Sequence, residues 1–216
     1  RRACGMSRST EFLAGCRGEA PLLLGVIPFG MIYGIAALAA GVPAWVAQLA
    51  SAMVFAGAAQ LVIVQMLAAG AGALPIALTS GLLNLRHVLY SASMAEYVRH
   101  LPRRWRLLLA YLLTDEAYAV AVLRYQRHAA DTAQRDDGAD LRHWYFFGAG
   151  FTLWAGWQLS TAAGLLFGAT IPAEWELDFA VPLTFIALLT LLFRERAGRA
   201  AALVAGLGAL AFAGLP

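Results

Sequence analysis

Apolar residues run along this chain in seven long blocks, and the polar residues gather at the joints between them. A helix rises about 1.5 Å per residue and a bilayer core is about 30 Å thick, so one crossing takes about 20 apolar residues. The blocks fall near that length: Pro21 to Ala40, Ala44 to Ala69, Leu74 to Ala95, Leu107 to Leu123, Trp144 to Phe167, Phe179 to Phe193 and Ala200 to Leu215. Gly41-Val42-Pro43 and Gly70 to Ala73 leave room only for tight turns. The pattern predicts an all-α integral membrane protein, a helical bundle of about seven apolar segments. Residues 1–18 read as a polar N-terminal segment set aside from that bundle, and 19–216 as a single transmembrane domain. Within it the stretch 124–142, which mixes Arg124, Arg127, Arg135 and Arg142 with Asp131, Asp136, Asp137 and Asp140, reads as a solvated, mobile loop.

Composition excludes a water-soluble alternative. Of 216 residues 61% are hydrophobic and 13% charged, too little charge to cover a soluble surface. From Pro21 to Val98 the ionisable side chains other than tyrosines are Arg86, His87 and Glu96 alone. All 16 basic residues are arginine. They sit mostly in short connections beside apolar blocks, so the net charge of +3 reads as topology and not as a nucleic-acid surface. Cys4 and Cys16 precede the first block, which leaves no disulfide framework or thiolate metal site in the apolar body. The string Leu13-Ala14-Gly15-Cys16 matches a lipoprotein cleavage box, but Arg8, Ser9, Thr10 and Glu11 stand where an apolar signal core belongs. The chain opens on Arg1-Arg2, so Met6 is a candidate start and the first residues a candidate cloning remnant. No metal and no cofactor is expected.

The arginines leave two threadings open. Four precede Pro21, four lie between Arg99 and Arg106, four between Arg124 and Arg142, and three between Arg194 and Arg199. Seven simple crossings place the Arg99 to Arg106 group on the wrong side of the membrane for the rule that basic connections stay in the cytoplasm. All four groups share one side if Ala44 to Ala69 enters and leaves from one face and Leu107 to Leu123 from the other. Transporters contain such broken or re-entrant segments where they line a polar cavity. A weak internal repeat points the same way. Pro43-Ala44-Trp45 leads to Phe55 as Pro172-Ala173-Glu174-Trp175 leads to Phe185, and the pairs Gly30/Gly34 and Gly164/Gly168 precede the two copies.

Two polar clusters interrupt the apolar blocks. In Asn84-Leu85-Arg86-His87-Val88-Leu89-Tyr90, helical spacing puts Asn84, His87, Ser91 and Met94 on one face and Arg86, Tyr90, Ser93 and Tyr97 on another. Burying Arg86 requires a partner or water. Either this cluster lines a cavity, or Asn84 and Ser91 bond neighbouring helices while Arg86 snorkels to an interface. Thr114-Asp115-Glu116 places two carboxyls near the middle of an apolar block. Their side chains diverge by about 100° on a helix, so one can face Arg86 or His87 while the other meets a different partner or water. A carboxyl held between low dielectric and a nearby guanidinium is the kind of group a proton-coupled carrier exploits, while the plain alternative is an ion pair that fixes helix register. Phe55-Ala56-Gly57-Ala58-Ala59-Gln60 puts a glycine and an amide inside the second block, suited to a helix break or to a packing notch.

Three motifs in this order, Phe55-Ala56-Gly57-x-x-Gln60, Asn84-Leu85-Arg86-His87-x-x-Tyr90 and Thr114-Asp115-Glu116, resemble the AzlC family, and the likeness runs over essentially Pro21 to Leu215. The resemblance implies the large subunit of a bacterial inner-membrane exporter of branched-chain amino acids, working with a small AzlD-like membrane subunit. A zwitterion needs a cation and an anion as partners. Arg86 is the candidate for its carboxylate, Asp115 or Glu116 for its ammonium, and Gly57, Gln60, Asn84 and Tyr90 for further polar contacts. Phe55 and Phe185 are candidates for an apolar side-chain pocket, and Asp115, Glu116 and His87 for proton coupling. The competing reading is a non-transporting membrane subunit whose polar cluster anchors a partner. An enzyme is not expected, since the chain has no Gly-x-Ser-x-Gly, no His-Glu-x-x-His and no Walker loop.

Overall fold

The computed structural model describes residues 7–132, 140–168 and 204, and these are helical throughout except at their joints. The chain divides into two compact units, Arg1–Ile171 and Pro172–Pro216, and all the helices named below belong to the first. Phe185, the second Pro-Trp-Phe copy and, apart from Val204, the last two apolar blocks lie outside the described residues.

Helix α1 (Arg8–Glu19) starts where the Ser7 hydroxyl accepts the Thr10 N–H at 3.2 Å. It passes through a 3-10 turn (Ala20–Leu22), with Pro21 at a first-turn position that needs no N–H donor, into α2 (Leu23–Ala39). Among the described residues Arg8–Ala39 is the one run long and apolar enough, by length and composition, to cross a membrane. Helix α8 (Arg142–Gly168) lies alongside it. Gly15 packs on Tyr145 and Ala149, Leu23 on Gly156, Met31 on Gly164 and Ile35 on Gly168, so the numbers climb together and the two helices run parallel. A Cβ on Gly34 would stand 2.6 Å from the Thr161 carbonyl oxygen. Small residues on both partners are what let these backbones touch. The segment set aside as a polar leader is therefore part of the bundle from Arg8 onward. Its Glu11 is buried, and the carboxylate meets Arg124 at 2.7 Å.

Two apolar blocks prove to be broken. Ala44 to Ala69 holds α3 (Ala44–Met53) and α4 (Gly57–Ala68), interrupted over Val54–Ala56. The other break, over Leu112–Thr114, separates α6 (Arg103–Tyr111) from α7 (Asp115–Thr132). Between the two pairs lies α5 (Ala73–Val98), unbroken over 26 residues. Helix α7 runs through Thr132, so the first part of the expected loop 124–142 is helix instead.

Both arms of α6–α7 open toward one end of the bundle. At the entry, Trp105 packs edge-on against Trp144 at 4.8 Å, and His100 lies 3.8 Å from Asp140. At the exit, Arg124 reaches Glu11, and the Arg142 guanidinium lies 4.8 Å over the Tyr125 ring. This is the end where α1 and α8 begin, so α6–α7 is a re-entrant hairpin. Helix α5 arrives at that same end. Its 26 residues span about 39 Å, which puts Ala73 at the opposite end, where α2 also finishes. The α3–α4 pair thus begins and ends at that opposite end, between turns that need glycine at positive φ, Gly41 (77°) and Gly70 (72°). Among the described residues the two broken blocks turn back from opposite ends of the bundle, as the second threading has them; Arg194 to Arg199 lies outside the described residues. A core of Tyr33, Leu61, Leu109, Leu113, Tyr125, Phe146 and Trp157 fills the space between.

Candidate functional site

The tips of the two hairpins meet. The Tyr111 hydroxyl donates to the Ala52 carbonyl at 2.6 Å and accepts from the Trp154 indole N–H at 2.8 Å. Phe55 packs on the Tyr111 ring at 6.1 Å. Breaking a helix leaves its last carbonyls and first amides without partners, and the two tips solve this differently.

At the α3–α4 tip the Gln60 amide turns back and donates to the Ser51 carbonyl at 3.1 Å and to the Val54 carbonyl. Gln158 adds a second donor to Ser51 at 3.2 Å, and the Trp157 indole N–H reaches the Ser51 hydroxyl at 3.0 Å. The open carbonyls of α3 are thereby closed, which makes Gln60 a splint for the break. Its Oε1 remains buried with no hydrogen-bond partner. A Cβ on Gly57 would stand 2.7 Å from the Trp157 ring and 2.9 Å from that of Phe29, so the residue is glycine because two aromatics close on it. The start of α4 carries no side-chain cap, and its first amides face the junction as the positive end of a half-helix.

The α6–α7 tip caps itself and collects the charge. The Thr114 hydroxyl accepts the Ala117 N–H at 3.3 Å. Asp115 and Glu116 occupy the first turn of α7, where the helix dipole favours carboxylates. They are not mid-helix, as their place within the apolar block implied, because the break falls just before them. Arg86 on α5 meets Asp115 at 2.6 Å, with side-chain exposures of 35% and 37%. The face expected to carry Arg86, Tyr90, Ser93 and Tyr97 is the one α5 turns to α7. The Tyr90 ring stacks on Tyr118 at 4.5 Å, Ser93 bonds the Tyr118 hydroxyl at 3.0 Å, and Tyr97 lies on Tyr125 at 5.0 Å. The Tyr90 hydroxyl faces the Asp115 carboxylate.

The structure brings together Phe55, Gly57, Gln60, Arg86, Tyr90, Asp115 and Glu116 around the junction of the tips. Asn84 and His87 lie one turn apart on the same helix, where His87 Nδ1 is 3.3 Å from the Asn84 backbone carbonyl oxygen and the His87 ring meets Tyr90 edge-on at 5.9 Å. The other half of the expected cavity face does line one. Ser91 and Met94, with Leu109, Leu113 and Phe146, border a cavity of about 220 Å³. Arg86 Nε, Asp115 Oδ1 and Asn84 Oδ1 are buried atoms with no hydrogen-bond partner, so the ion pair keeps one donor and one acceptor unused. Two contributors escaped the sequence reading. Tyr111 had no signal beyond its spacing from Asp115, and Glu19 looked like the polar edge of the first apolar block. Glu19 is fully buried, and Glu116 lies within its electrostatic reach.

The motifs that build both tips fall within residues 21–171, which match the model of the AzlC protein family. The chain belongs to the AzlC family. It is 30% identical to the inner membrane protein YgaZ of Escherichia coli K12, over 96% of this chain and 84% of that protein. An uncharacterised membrane protein of Archaeoglobus fulgidus is also 30% identical, over 96% of this chain and 87% of its own length. A Helicobacter pylori membrane protein is 34% identical over about half of each chain. No solved structure matches. As an AzlC-family chain with membrane proteins for relatives, this all-α bundle is a membrane protein, and its exposed leucines (Leu74, Leu78, Leu82 and Leu89 along α5) are apolar surface that water does not favour.

Proposed function

We propose that this chain is the large subunit of an inner-membrane secondary transporter that exports branched-chain amino acids, valine, leucine, isoleucine and with them methionine. It works together with a small AzlD-like membrane subunit and moves its substrate unchanged, as a carrier and not an enzyme. It crosses the membrane several times, with the arginine-rich end in the cytoplasm. The observation that carries the reading is the pair of opposed hairpins meeting tip to tip beside Arg86 and Asp115. Half-helices that end at mid-depth put backbone dipoles and unshared polar atoms where a substrate can reach them, which a bundle built only for stability has no need of.

The chemistry fits a zwitterion with an apolar side chain. Arg86 offers its free Nε–H to a carboxylate, and Asp115 offers its free Oδ1 to an ammonium. Phe55 and Tyr111 supply an apolar wall beside them. A substrate that engages both charges replaces the contact each now makes with the other, so binding loosens α5 from the tip of α7. Such exchange of an internal ion pair for a ligand is how a site at a helix break can drive a rearrangement.

The test is efflux of preloaded valine, leucine and methionine from cells lacking their own exporters. Three strains are compared: empty vector, this chain with its small partner, and the same pair carrying Asp115→Asn. Faster efflux with the wild-type pair, lost in the variant, supports the exporter. Unchanged efflux from an intact complex in the membrane would move the reading to a non-transporting subunit, in which the ion pair only locks α5 against α7.

A further inference from the structure

Glu19 ends α1 at the point where the α-helix tightens into the 3-10 turn Ala20–Leu22. It has no exposed surface, and neither carboxylate oxygen has a hydrogen-bond partner. Facing it is α7. A Cβ on Gly18 would lie 3.2 Å from Val120, one turn beyond Glu116, and Glu116 is the charged group that acts on Glu19. The cations on the neighbouring elements are engaged elsewhere: Arg124 of α7 with Glu11, and Arg86 of α5 with Asp115. From α8 the neighbour is Tyr145, packed at Gly18. Glu116 itself has the Thr114 hydroxyl beside it, with Asp115 and Arg86 within electrostatic reach.

A fully buried carboxyl with no hydrogen-bond partner, a second carboxyl within electrostatic reach and no unengaged cation beside it among the described residues holds a negative charge only at large cost. We propose that Glu19 is a proton-binding site beside Glu116, the proton being held on the buried Glu19 carboxyl at the depth of the α6–α7 tip. Glu19 stands roughly 16 Å along α1 from Arg8, about half a bilayer core from the basic end. A mid-helix 3-10 turn beside it is the kind of irregularity found at hinges. The site belongs to the fold and stands whether or not the chain carries amino acids; its use in coupling rests on the exporter reading. An ammonium arriving at Glu116 offsets the like charge that favours a proton on Glu19, so the two cations disfavour one another, as exchange requires.

The experiment is infrared spectroscopy of the purified chain in lipid nanodiscs, with carbon-13-labelled glutamate to separate Glu from Asp carboxyls, titrated from mildly acid to alkaline pH. A protonated glutamate carbonyl stretch is expected at neutral pH in the wild type and in Asp115→Asn, and is lost in Glu19→Gln. In Glu116→Gln the band persists but vanishes at more acidic pH than in the wild type, because the like charge that held the proton on Glu19 is gone. A band unchanged in Glu19→Gln overturns the site, as does an unmoved midpoint in Glu116→Gln, which decides the matter alone should Glu19→Gln fail to fold. A chain with the band and no efflux keeps the proton site and ends the exporter reading; efflux without the band does the reverse.

Discussion

Arg86 and Asp115 are each about a third exposed, and pairs so placed add only about 0 to 1 kcal/mol to stability. A charge-assisted hydrogen bond to a substrate is worth roughly 1.5–3 kcal/mol, and each 1.4 kcal/mol is tenfold in rate or affinity. Asp115→Asn should therefore cut efflux about 10- to 100-fold while shifting the unfolding midpoint of the purified protein little, a contrast that parallel efflux and thermal melts would read. A deep loss of stability with efflux intact would mean the pair is structural. Away from the apolar body, burial alone would raise the Asp140 carboxyl above its ordinary value of 3.8, but hydrogen bonds from the Arg142 guanidinium at 2.6 and 2.8 Å and from its backbone N–H outweigh that and hold it lower. A carboxyl lowered on folding contributes stability that is present above its unfolded value and lost as pH falls through the folded one. Asp140→Asn should thus destabilise at neutral pH and converge on the wild type in strong acid, as melts against pH would show; parallel curves would refute the pairing. At this scale the sequence displays charge well and pairing poorly. Arg86 and Asp115 stand out because their short polar clusters interrupt long apolar blocks, whereas Glu11 and Glu19 blend into a segment with Arg8 and Arg17. Only the fold reveals that Glu11 has Arg124 for a partner and that, among the described residues, no cation pairs with Glu19.

Helix breaks, by contrast, are written faintly. Leu112-Leu113-Thr114 contains no glycine or proline, and Val54-Phe55-Ala56 has only Gly57 at its edge, so apolar periodicity runs straight through both. What breaks them is tertiary: Gln60 takes the carbonyls of α3, Thr114 starts α7 afresh, and Tyr111 ties one tip to the other. The arginine groups at the joints, more than any local motif, betrayed the hairpins. Gln60→Leu keeps the volume but leaves the Val54 carbonyl without its donor inside the bundle. Orphaning a buried acceptor costs roughly 1–3 kcal/mol, so the variant should melt earlier and expose the tip to proteolysis or hydrogen exchange at Val54–Ala56. Equal protection in wild type and variant would show that the break needs no splint. The α2–α8 contact is the opposite kind of feature: its glycines, Gly30, Gly34 and Gly164, stand out in the sequence, but which helix each one meets is shown only by the fold. A Cβ on Gly164 would run into the Met31 backbone, which cannot swing aside as a side chain can. Gly164→Ala should therefore push α2 from α8, at a cost of about 1–3 kcal/mol, visible as a lower melting midpoint.

For the whole molecule, the two hairpins turn a count of apolar blocks into a statement about sides. Each hairpin consumes a block without crossing, so Arg99 to Arg106 comes to lie with Arg8, Arg124 and Arg142 at one end, and the two glycine turns at the other. On the proposed orientation, the arginines at the joints of the described bundle would all stay in the cytoplasm. Thiol labelling in intact cells tests this directly. With Cys4 and Cys16 replaced by serine, single cysteines at Arg104 and Asp140 should resist a membrane-impermeant reagent until the cells are opened, while cysteines at Val42 and Ala71 should react from outside. Three ordinary crossings between α2 and α8 would split the pairs, placing Arg104 outside and Ala71 inside. The two patterns share no outcome at those positions, so one gel separates them. The result reaches beyond topology, because the meeting of Tyr111 with Ala52 at mid-depth exists only if the hairpins enter from opposite faces. On the exporter reading, the two hairpins would give each side of the membrane its own path to Arg86, Asp115 and Glu116, one along α3–α4 and one along α6–α7. A carrier needs two such paths to one site, and a scaffold needs neither.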